Sequence, residues 1–193
     1  MFSLVLAACR PCLFRAAGMN TLSNQNFGLI IAYLLPGFVS LWGMSYFSPV
    51  VESWIDVQQP SGSPAVAGFM FATLASLAAG VTVSAVRWAV IDHLHHATGI
   101  VPPDWKFAHL EGRLQGYLTL VENHYRYYQF YSNMFVAAAF AYSARLVEGP
   151  AFLRPVAATC GFLALEMTLF AGSRDTLQKY YDRTRQLLSS NHP

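Results

Sequence analysis

Charge is scarce in this chain. Asp, Glu, Lys and Arg together make up 11 % of its 193 residues, against roughly 25 % in soluble globular proteins. The net charge is only +2, and no lysine–arginine block or basic helix face stands out, which argues against nucleic acid as a partner. Cysteine is scarce too. Of three, Cys9 and Cys12 form one C-x-x-C with no second pair and no finger-spaced histidines, so they do not read as a zinc site. A glycine-rich phosphate loop, a nucleophile elbow and an H-E-x-x-H helix are all missing. Among six histidines, the run His93-Leu94-His95-His96 does not match the repeated boxes of four-helix membrane oxygenases. No ready-made catalytic motif remains.

What the chain has is apolar residues, 54 % of the total, gathered into runs. No charge falls between Ala16 and Val51, Val57 and Val86, or Tyr127 and Ala144; between Pro155 and Ser173 the single charge is Glu166. A helix crossing a bilayer takes about 20 such residues. The fold class expected is therefore all-α: a polytopic membrane protein with four transmembrane helices, at 27–47, 65–86, 127–145 and 155–173. Residues 1–26 form an N-terminal segment. Leu6-Ala7-Ala8-Cys9 fails as a lipoprotein signal because no Lys or Arg precedes it, and Met19 is an equally good start, which would make residues 1–18 an over-extended reading.

The loops orient the spans. Glu52 and Asp56 lie in the first connection, and Arg145 and Arg154 in the third. Arg87, Lys106, Arg113 and Arg126 lie in the second, and Arg174, Lys179, Arg183 and Arg185 in the 174–193 tail. Positive residues favour the cytoplasm, so both termini are expected inside, with the chain in the inner (plasma) membrane. Trp54 and Tyr46 suit the outer interface, and Trp88 and the Tyr125–Tyr131 run the inner one. The second helix continues to Gly99, a C′ glycine with Pro102 and Pro103 beyond; residues 65–98 would span ~50 Å, well over the ~30 Å core. Asp104 then caps a returning helix that Gly112 and Gly116 interrupt. Residues 87–126 so form a cytoplasmic helical hairpin, against which a tail stripe of Leu177, Tyr180, Tyr181, Thr184 and Leu188 can pack.

Within the spans, Gly68, Ala72, Ser76, Gly80 and Ser84 recur every fourth residue, the spacing that lets membrane helices approach closely. Pro36-Gly37 should bend or loosen the first span. Glu122, Arg126, Gln129 and Asn133 make one polar stripe descending the third helix. Counted from the inner edges at Tyr127 and Ser173, Asn133 and Glu166 lie at matching depths. The expectation is a buried polar layer of Tyr33, Asn133 and Glu166, continued by Gln129, Glu122 and Arg126, with Arg126 as counter-ion. An acid inside a span needs such a partner. Asp92, His93 and His96 share a helix end at a spacing able to hold a divalent metal, with Glu122 and His124 facing them.

The functional expectation is a small, cofactor-free, non-enzymatic helix bundle in the lipid bilayer that associates with itself or with a membrane or cytoplasmic protein, or perturbs or conducts across the membrane. One alternative is a metal-dependent enzyme acting on a lipid at the inner leaflet through Asp92, His93, His96, Glu122 and Arg126. Another is a transporter or channel subunit using Glu166.

Overall fold

A computed structural model of the chain describes residue 28 and residues 30–55, 65–104, 110, 112–148 and 156–189. The N-terminal segment 1–26, with Cys9, Cys12 and the question of the start, lies outside the described residues. Among the described residues the fold is all-helical, without strands. A π-helical turn π1 (Ile30–Leu34) runs into α1 (Leu35–Ser45), followed by the short α2 (Pro49–Ile55). Helix α3 (Ala65–Arg87) continues through π2 (Trp88–Asp92) into α4 (His93–Ala97). Helix α5 (Leu114–Leu120) continues through π3 (Val121–Tyr125) into α6 (Arg126–Glu148), and α7 is the single helix Val156–Ser189. Two of these stretches, Gly68–Ala97 and Val156–Ser189, are long and apolar enough to cross a membrane; Ile30–Ser45 is apolar but shorter.

Pro36 explains the first turn. Proline has no N–H for the carbonyl four residues back, here that of Ala32, and Asn133 Nδ2 fills the gap from α6 at 2.8 Å. The helix thus stays continuous, loosened to π geometry rather than sharply broken. Helix α1 packs on both α3 and α6, and α6 on α7. At the α1–α3 crossing the backbones touch: a Cβ on Gly37 would collide with the Ser76 carbonyl oxygen, and one on Gly80 with that of Tyr33. Only part of the small-residue run makes this contact. Ser76 and Gly80 are buried and Ala72 and Ser84 half-buried, whereas a Cβ on Gly68 would meet nothing within 4 Å.

Gly99, at φ +96°, ends the α3–α4 rod in the left-handed conformation that closes helices. The helix continues past Arg87 to Ala97, and the far turn of the expected hairpin lies partly outside the described residues. Gly112, at φ +75°, precedes the returning helix instead of breaking it, and Gly116 lies inside α5 without interrupting it. The tail is no separate element, because α7 runs through Ser173 unbroken for 34 residues, or ~51 Å. Its buried residues are Glu166, Leu169, Ser173, Leu177, Tyr180, Thr184 and Leu188. Their steps of three, four and four give an 11-residue repeat, close enough to the helical period to hold one straight seam along α7.

Candidate functional site: a tyrosine-walled pocket at one end of the bundle

All three π-helical turns lie toward the same end of the bundle, where α3, α6 and α7 run on beyond the close α1–α3 crossing. A π turn closes hydrogen bonds between residues five apart. In π2 this brings Arg87 and Asp92 together: Arg87 Nη1 donates to Asp92 Oδ1 at 2.9 Å, with the Arg87 side chain 5 % exposed. The Tyr128 hydroxyl donates to the same carboxylate oxygen, and the Arg87 guanidinium lies 5.2 Å from the centre of the Tyr128 ring. Asp92 therefore accepts from two donors, one of them a cation.

Beside this node His95 is fully buried. Its Nε2 lies 2.8 Å from Ser173 Oγ. Ser173 gives its single proton to the Phe170 carbonyl, so Nε2–H of His95 is the donor to Ser173, and Nδ1, with no hydrogen-bond partner among the described residues, is the bare nitrogen. Burial, with Arg174 nearby, lowers the His95 pKa. The imidazole is a neutral connector between α4 and α7, packed 5.0 Å from the Phe170 ring.

Next to Asp92 a cavity of about 480 Å³ opens between α5, π3, α6 and α7, lined by Asp92, Val121 and five tyrosines: Tyr117, Tyr125, Tyr128, Tyr180 and Tyr181. The Tyr117 and Tyr180 hydroxyls pair with each other at 3.1 Å. Burial, and then the bond to Tyr117, pushes the Tyr180 pKa well above that of an ordinary phenol, and burial takes Tyr181 up to about 12. Tyr180 and Tyr181 are neutral phenols across the physiological range. Between π3 and α7, Arg183 Nη1 donates to His124 Nε2 at 2.7 Å; partial burial and that guanidinium lower the His124 pKa.

The expected metal cluster does not assemble. No three metal-ligating side chains come together among the described residues. Asp92 is committed to Arg87 and Tyr128, His93 Nδ1 turns to the Trp88 carbonyl at 3.2 Å, and His96 Nε2 meets the Tyr181 hydroxyl at 3.2 Å. Glu122 is half-buried on π3 and joins no such group.

The expected polar layer forms in part. Gln129 Nε2 donates to the Tyr33 hydroxyl at 3.1 Å and Asn133 reaches Ala32 as described, so three of its members join α6 to π1. Arg126 lies along the same side, 3.5 Å from where a Cβ on Gly28 would be. Glu166 stands apart. It is buried, 8 % exposed, yet neither carboxylate oxygen has a hydrogen-bond partner among the described residues. Stacking of Tyr142 on Phe162, contact of Phe135 with Phe170, and Tyr131 against Gly172 fix the register of α6 and α7. Glu166 falls level with about residue 138, some five residues or ~7–8 Å past Asn133. The matching depths fail because Ser173, taken as the inner edge, is level with about Tyr131 rather than Tyr127.

The Tyr125–Tyr131 run, read as interfacial anchoring, splits. Tyr127 is half exposed, but Tyr128 is 1 % exposed and bonded inward. Arg87, Tyr128 and Ser173 were not legible as site residues, since Arg87 read only as a loop charge and a five-residue spacing belongs to no α-helical face. Comparison with known protein families, with curated proteins and with solved structures gave no significant match.

Proposed function

We propose that this chain is an integral membrane protein of the inner (plasma) membrane, crossing it four times with both termini inside, and that it acts as a binding module rather than as an enzyme. The observation that carries the reading is an inverted distribution of polarity. Phe69, Phe71, Leu74, Val81, Trp42 and Phe38 are exposed along α3 and α1, while Ser40, Ser76, Ser132, Gln129, Asn133 and Glu166 are buried. In water this arrangement would sacrifice the hydrophobic drive; in lipid it puts apolar side chains against acyl chains and lets polar ones pair between helices. The exposed apolar side chains lie on α1 as well as on the two longer apolar helices, and α6 contributes the buried Gln129, Ser132 and Asn133.

Binding is favoured over catalysis because the titratable candidates are engaged in structural pairs, Asp92 with Arg87 and Tyr128, and His95 with Ser173. Self-association through the Ser76–Gly80 face is no longer supported, since α1 fills it; association with a second copy or another protein would use the outer faces. A transport reading keeps one specific support, the buried carboxylate of Glu166 without a counter-ion. Loss of flux in Glu166→Gln with assembly intact would favour it.

Fractionation tests the main reading. The full chain should stay in the membrane pellet after alkaline carbonate washing and leave it only with detergent. Release by carbonate would overturn it.

A further inference from the structure

Tyrosines at a membrane interface ordinarily hold their hydroxyls toward water and headgroups. Around the 480 Å³ cavity they do otherwise. The Tyr128 hydroxyl turns in to Asp92, and those of Tyr117 and Tyr180 turn to each other. The rings do not stack either. Tyr125 meets Tyr128 at 42°, Tyr125 meets Tyr180 at 41°, and Tyr180 meets Tyr181 at 43°, with centroids 5.2–5.9 Å apart. At these separations the rings pack into one cluster with Ile100 and Leu177; Tyr128 and Tyr180 are nearly covered, and the half-buried Tyr117, Tyr125 and Tyr181 offer most of the ring surface that faces the cavity. The volume lies within the range of about 300–1,000 Å³ usual for small-molecule sites.

A ring face attracts a cation through its quadrupole, and a group of rings around a concavity is the arrangement that takes a quaternary ammonium. The electrostatics of this pocket narrow the class. Asp92 Oδ1 already accepts from Arg87 and Tyr128, so much of the carboxylate's charge is taken up and ring surface makes up most of what the pocket offers a cation. A quaternary ammonium donates no hydrogen bond and asks only for ring faces and a nearby negative potential. The Arg87–Asp92 pair is neutral overall, so the buried guanidinium does not by itself repel an arriving cation. Its own position over the Tyr128 ring is the same attraction used once already.

We infer that the cavity formed by Tyr117, Tyr125, Tyr128, Tyr180 and Tyr181 beside Asp92 is a binding site for a quaternary ammonium group. This deepens the binding-module reading and rests on it for the expected source. At the inner ends of the spans, near Arg87 and Tyr127, the pocket is at headgroup level, where a trimethylammonium headgroup would enter from the bilayer; a soluble choline-like cation carries the same chemistry.

The test uses the full-length chain in dodecyl maltoside, which contains no ammonium, titrated with radiolabelled tetramethylammonium by equilibrium dialysis. Saturable binding is expected, with ammonium competing at least about ten-fold more weakly. Tyr125→Leu and Tyr181→Leu, checked for unchanged helicity and gel-filtration profile, should each weaken binding about five-fold or more, whereas Tyr125→Phe, which keeps the ring, should stay within about two-fold. Displacement by nanodiscs of choline-headgroup lipid but not of glycerol-headgroup lipid assigns the bilayer as source; displacement by free choline alone assigns a soluble ligand. Absence of saturable tetramethylammonium binding by the unmutated chain, or equal binding by folded leucine and phenylalanine variants, overturns the site. The probe is soluble and the protein is in detergent, so this result is independent of how many helices cross the membrane.

Discussion

Three side chains at one end of the bundle, Arg87, Asp92 and Tyr128, carry unusual weight for their size. Arg87 is a buried cation whose only ion pair among the described residues is with Asp92. Removing the partner strands the charge, so Asp92→Asn should lower unfolding stability by ~3 kcal/mol, while Tyr128→Phe, which removes one hydrogen bond to a carboxylate, should cost ~1.5–3 kcal/mol. Thermal unfolding of purified protein in detergent checks both, and the larger loss belongs to Asp92. His124 and His95 make a second prediction at this scale. Both are neutral in the fold with pKa values below the unfolded value, so between the folded and unfolded values the unfolded chain holds more protons. Stability is then full above about pH 6.5, falls as the pH drops below it, and levels off beneath the folded values. His124→Gln, whose amide oxygen can still accept from Arg183, should shrink that acid-side fall and leave stability at pH 8 unchanged.

At the scale of the helix, what was legible in the sequence was what depends on the α-helical period and on length. The apolar runs found the starts of the long apolar helices within a few residues but not the end of α7, Gly99 marked the end of α4, and the tail stripe on α7 is buried at Leu177, Tyr180, Thr184 and Leu188. The site was legible mainly through Asp92 and the tyrosine run. Three π turns shift the register of α1, α3 and α6, and a pattern counted in threes and fours cannot see a pair five apart. Likewise Asn133 read as part of a polar layer. In the structure it caps the carbonyl that Pro36 leaves unpaired, a role that needs a neighbouring helix to be known. Asn133→Leu should therefore destabilise by ~1–3 kcal/mol through an unsatisfied buried carbonyl. The small-residue run separates into positions that touch and one that does not. Gly80→Val should collide with the backbone at Tyr33 and cost at least ~3 kcal/mol or prevent folding, and Gly68→Val, with open space around it, should stay within ~1 kcal/mol of the unmutated chain. Chemical denaturation of the two variants side by side reads the difference.

For the whole molecule, the fold is a helical assembly whose α1, α3 and α7 expose large apolar side chains while Ser40, Ser76, Ser132, Gln129, Asn133 and Glu166 lie buried, and two of its helices are long and apolar enough to cross a membrane. Which of α1, α3, α6 and α7 cross a membrane decides the topology and the side on which the tyrosine pocket opens. Cysteine labelling resolves it most directly. In a background with Cys9, Cys12 and Cys160 replaced by serine, single cysteines at Ser48, Gln115, Val147 and Ser189 are exposed in intact cells to a membrane-impermeant maleimide. Four crossings predict that Ser48→Cys and Val147→Cys label from outside, and that Gln115→Cys and Ser189→Cys label only after the membrane is opened. Val147, 76 % exposed at the far end of α6, is the decisive position. Protection of Val147→Cys in intact cells, with labelling only after permeabilisation, would contradict the four-span account.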